Sequence, residues 1–120
     1  MNNLTNEQII NIILPELSDD EINQSIIYFD TKVLQPGDKV RIGKSLTSMS
    51  SNAYLVFVDL EPKANWGHKC KYFLIDPKTK TAKITNEEFP PHLDEYPESF
   101  IVILRYGKKP PHDRFFDVFD

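Results

Sequence analysis

Four residues near the middle of the chain, Asp59, Glu61, His68 and Cys70, carry the side chains best suited to chemistry. Two carboxylates, an imidazole and a thiol could hold a divalent metal such as zinc. The same atoms could instead set up a thiolate at Cys70, with His68 as base and Asp59 or Glu61 orienting the imidazole. The spacing weighs against both uses. It matches no Cys or His ligand pair of a structural zinc site. His68 and Cys70 are two apart, so in an extended strand they share a face about 6 to 7 Å from one another, beyond a direct hydrogen bond. A catalytic thiol also needs an electropositive setting, and Lys69 and Lys71 supply only a modest one. The plainer reading makes Cys70 a core filler, gives His68 a backbone carbonyl to bond, and packs Trp66 over the end of a sheet. The sequence therefore assigns no catalytic residue, no metal ligand and no cofactor. Asp59, His68 and Cys70 remain the set on which an alternative small Cys/His hydrolase or metal-dependent enzyme would be centred.

Binding is better represented. The only Trp of the chain, Trp66, lies with Asn65 and His68 in the polar insert 61–69, and Glu87, Glu88 and Glu95 lie in an acidic stretch further on. An aromatic anchor beside an acidic patch suits a basic protein partner, since aromatic residues dominate contact centres and complementary charge steers encounter. The expected binding residues are Asn65, Trp66, His68, Glu87, Glu88 and Glu95, and the expected function is a small inhibitor or immunity-type protein-binding module.

These residues need a frame. Two apolar runs, 53–60 and 70–76, flank the insert and read as antiparallel neighbours, rich in β-branched and aromatic residues. Asp59 and Cys70 would then face each other across the strand ends. Further strands are expected at 32–34, 39–42, 81–85 and 99–106. The first two would form a hairpin through Gln35-Pro36-Gly37-Asp38, where Pro and Gly suit a type II turn. Alternation in Lys39-Val40-Arg41-Ile42 turns Val40 and Ile42 inward. The run 99–106 lacks alternation and is expected to be covered on both faces or central in the sheet. Residues 43–52 read as a polar loop. Its Gly43-Lys44-Ser45 echoes a P-loop but lacks the upstream glycine and the strand-to-helix context.

Two capping boxes mark helix starts, Thr5-Asn6-Glu7-Gln8 and Ser18-Asp19-Asp20-Glu21, each with a staple pair, Leu4 with Ile9 and Leu17 with Ile22. They predict helices over 6–14 and 19–28, separated at Pro15. The fold class that follows is α+β: two N-terminal helices packed on a mostly antiparallel, four- to five-stranded sheet in a single domain. Its parts are a helical region at 5–29, a sheet region at 32–106 and an aromatic tail at 107–120, in which Phe115, Phe116 and Phe119 must dock on the body or meet a partner.

Composition narrows the rest. The chain has 120 residues and a net charge of −4, which argues against a nucleic-acid surface built on clustered Lys and Arg. A minority reading would stack single-stranded nucleic acid or a glycan on Trp66, Tyr54, Tyr72 and Phe73, but an acidic chain makes a poor basic groove. His92 and His112 follow Pro-Pro pairs without companions at ligand spacing. One cysteine excludes an internal disulfide and suits a reducing compartment. With neither a secretory leader nor an apolar run long enough to span a bilayer, a cytoplasmic location is the default.

Overall fold

A computed structural model of the chain describes residues 4–64, 69–90 and 98–109. Its centre is a five-stranded, wholly antiparallel sheet in the order β6-β5-β4-β1-β7. These strands are β1 (Ile26–Asp30), β4 (Tyr54–Asp59), β5 (Cys70–Ile75), β6 (Ala82–Glu87) and β7 (Phe100–Arg105), and β2 (Lys39–Ile42) and β3 (Ser45–Ser48) form a separate hairpin. Among the described residues no helix is long and apolar enough to cross a membrane.

Helix α1 (Asn6–Ile13) starts as its capping box dictates: the Gln8 amide donates to Thr5 Oγ1 at 3.1 Å, and the Thr5 amide donates back to Gln8 Oε1 at 2.9 Å. Its stripe of Ile9, Ile10 and Ile13 packs on one face of the sheet, against Ile27, Phe29, Tyr54, Val56, Val58, Phe73 and Ile75. The second box is equally well formed, yet helix α2 (Asp19–Gln24) is only six residues long and buries none of them. One helix therefore carries the helical layer, where the sequence suggests two. The expected continuation of α2 to Tyr28 is replaced by β1, whose run Ile26-Ile27-Tyr28-Phe29 is β-branched and aromatic and fills the slot between β4 and β7.

The opposite face is covered by the small hairpin. Val40 and Ile42 point inward as their alternation requires, and they join Leu34, Leu55, Phe57, Cys70, Tyr72 and Phe100 in a second apolar cluster. Covered on both faces, β4 is buried along its whole length. The turn at 35–38 forms, with the Asp38 amide donating to the Gln35 carbonyl at 2.9 Å and Gly37 at φ +91°. It does not join the expected strands, however. Leu34 bridges to Ala53, and β2 pairs with β3, which the polar loop reading hides because Ser45-Leu46-Thr47-Ser48 contains a single apolar side chain. Strand β7 is buried except at half-buried Ile101 and Arg105, and it lies at a margin of the sheet rather than its middle.

Candidate functional site

The register aligns one row of residues across all five strands at one end of the sheet: Arg105, Ile26, Asp59, Cys70 and Glu87. Asp59 and Cys70 are direct partners, so the pair singled out in the sequence is brought together. Glu87 joins from the far side of Cys70. Only the pairing of β6 with β5 reveals this neighbour, because seventeen residues of chain separate the two.

The carboxylates at this end are engaged in holding the neck of the insert. Asp59, at the exit of β4 and 3% exposed, accepts the Glu61 amide on Oδ1 at 3.0 Å. Glu61 reaches over the neck and accepts the Lys69 amide on Oε1 at 2.8 Å. The Leu60 amide donates to the Lys69 carbonyl at 2.9 Å, and the Ala64 amide to the Glu61 carbonyl at 3.0 Å. The two carboxylates that could have held a metal or oriented an imidazole thus terminate backbone amides at a strand end. Among the described residues no group of three or more His, Cys, Asp or Glu side chains could hold a metal ion.

Cys70 is 2% exposed, and its thiol lies 3.5 Å from the Glu87 carbonyl. Burial, then the charges of Asp59 and Glu87, push it from 9.0 up to about 12. At neutral pH it is a protonated thiol, the reverse of an activated thiolate. Tyr28, on the same face, is raised to about 12, first by burial and then by Asp59. Tyr72, at 1% exposure, is raised chiefly by burial.

Two open grooves meet at Leu60. One, of about 550 Å³, runs between Asn23 and Gln24 on one side and residues 61–64 on the other, with Tyr106 at its end. The second, of about 520 Å³, lies between Lys69 and Lys71 and the acidic end of β6 at Glu87 and Glu88, and Glu21 completes it. Lys71 is tied to the helical layer: its Nζ is 3.7 Å from Glu21 Oε2 and donates to the Glu16 carbonyl at 3.4 Å.

The tip of the small hairpin closes over the β6 end. Gly43, at φ +61°, opens a two-residue turn with Lys44, whose Nζ sits 4.4 Å from the Phe89 ring centre. The Tyr72 hydroxyl donates to the Phe89 carbonyl at 2.5 Å, so the turn, β5 and the residues after β6 form one latched unit. No family model, curated protein or solved structure matches the chain. Of the expected binding residues, Glu87 and Glu88 line the second groove. Asn65, Trp66, His68 and Glu95 lie outside the described residues, as do His92, His112 and the tail beyond Lys109.

Proposed function

We propose that the chain is a small protein-binding module of the inhibitor or immunity type, engaging a basic partner through the insert 61–69 and the acidic end of β6. The observation that carries this reading is the fixed neck of the insert between two open grooves, with Glu61, Glu87 and Glu88 lining their walls. A neck held by four backbone amides lowers the ordering cost of binding, because less conformational freedom remains to be lost on contact. The sequence of the insert includes Asn65, Trp66 and His68, a composition suited to an aromatic anchor flanked by polar contacts. Glu87 and Glu88, with Glu95 further along the chain, would steer a basic surface toward it. The alternative enzyme centred on Asp59, His68 and Cys70 draws no support from a buried thiol raised to about 12. A reducing, cytoplasmic setting fits a lone, protonated cysteine.

The test is capture of a partner from lysate by the wild-type chain and by a Trp66→Ala/Glu87→Lys/Glu88→Lys variant. The expected result is loss of the captured protein, with the variant's urea midpoint close to wild type. Undiminished capture would overturn the assignment of these residues.

A further inference from the structure

Strand β6 forms a margin of the sheet, and no described strand pairs with its outer side. The hydrogen bond from the Asp76 amide to the Thr81 carbonyl, 2.9 Å, makes these two a bonded pair of the antiparallel ladder. The ladder then runs from Ile75 opposite Ala82 to Cys70 opposite Glu87 without a register shift. Bonded and non-bonded pairs alternate along such a ladder, so Lys83, Thr85 and Glu87 turn their backbone groups toward β5. Ala82, Ile84 and Asn86 turn theirs outward. The outer edge is regular and carries no bulge.

We propose that β6 pairs with β6 of a second copy of this chain, antiparallel about a two-fold axis at Thr85. In that register the outward groups of Ile84 and Asn86 exchange hydrogen bonds with those of Asn86 and Ile84 of the second copy. Lys83 falls opposite Glu87 of the second copy, and symmetry repeats the pair. Both residues occupy non-bonded positions, where side chains on adjoining strands approach most closely. They also share a face, the one shared with Cys70, Tyr72 and Leu74. Sliding the copies by one step in either direction places Lys83 opposite Thr85 or Phe89 and loses both ion pairs, so charge selects a single register. A lysine on an edge strand ordinarily discourages pairing. Here self-pairing supplies each lysine with a carboxylate, and it draws the 36%-exposed Ile84 toward the seam. Five paired residues of each copy, 83–87, make a small interface, so the dimer is weak and concentration-dependent.

Glu87 belongs to both the partner surface and this seam, but self-pairing is measured on the purified chain alone, so its failure leaves the partner reading untouched. Sedimentation equilibrium over a concentration series should show the mass rising from 13.9 kDa toward twice that value. Lys83→Glu and Glu87→Lys should each weaken association about tenfold, by setting like charges opposite one another twice. The double variant Lys83→Glu/Glu87→Lys, which exchanges the charges, should restore it. Ile84→Pro, which removes an outward amide, should leave a folded monomer. A wild-type chain that stays monomeric throughout, association indifferent to the single reversals, or a double variant that fails to recover would each overturn the proposal.

Discussion

The Glu87 carboxylate lies over Gly43 so closely that a Cβ at that glycine would come within 2.2 Å of Glu87 Oε1. The backbone there is also at φ +61°, where an L side chain is strained. Gly43→Ala should therefore lose about 1 to 3 kcal/mol of stability, part from the backbone and part from the clash. A Gly43→Ala/Glu87→Ala double variant should recover the steric part alone, and a double-mutant cycle in urea separates the two.

Tyr72→Phe removes the hydroxyl that bonds the Phe89 carbonyl and keeps the ring in the second apolar cluster. The expected loss is about 1 to 2 kcal/mol, the usual consequence of leaving a partly buried acceptor unsatisfied. Hydrogen exchange should quicken at residues 42–45 and 86–89, the two segments this tyrosine latches, before it does elsewhere.

Alkali should destabilise the fold in a defined window. Cys70, at 9.0 when exposed and about 12 in the fold, and Tyr28, at 10.0 and about 12, both hold their protons more tightly folded than unfolded. The stability they contribute is complete below the unfolded values and drains away as pH climbs toward the folded ones. The urea midpoint should hold up to about pH 9 and then fall toward about pH 12. Cys70→Ala should blunt the onset of that fall. At neutral pH a thiol reagent should label native Cys70 far more slowly than free cysteine, and urea should abolish the protection.

The two capping boxes should differ in their reach. Thr5→Ala should lower global stability by about 1 kcal/mol, because α1 is packed into the core. Ser18→Ala frays a helix that has no fully buried residue and meets the core only through half-buried Ile22, so it should raise hydrogen exchange within α2 with a smaller shift in the global midpoint.

What the sequence reveals of this fold is what local chemistry decides. Both capping boxes, the turn at Pro36-Gly37 and the pairing of Asp59 with Cys70 are set by residues close to one another or by matching apolar runs. What stays hidden depends on distant partners. Ile26-Ile27-Tyr28-Phe29 continues a helical stripe in the sequence, yet the sheet takes it because β4 and β7 offer partners on both sides. Strand β3 exists because β2 pairs with it, while its one large side chain, Leu46, stays 57% exposed. The roles of Asp59 and Glu61 were invisible for the same reason: residue types suggest chemistry, and only the course of the backbone shows the amides they terminate.

Those two acids tie the exit of β4 to the entry of β5, so the alignment of the two strands is anchored at Asp59, Glu61 and Lys69 themselves. Grafting a different sequence between those anchors should therefore leave β4 and β5 in the same register.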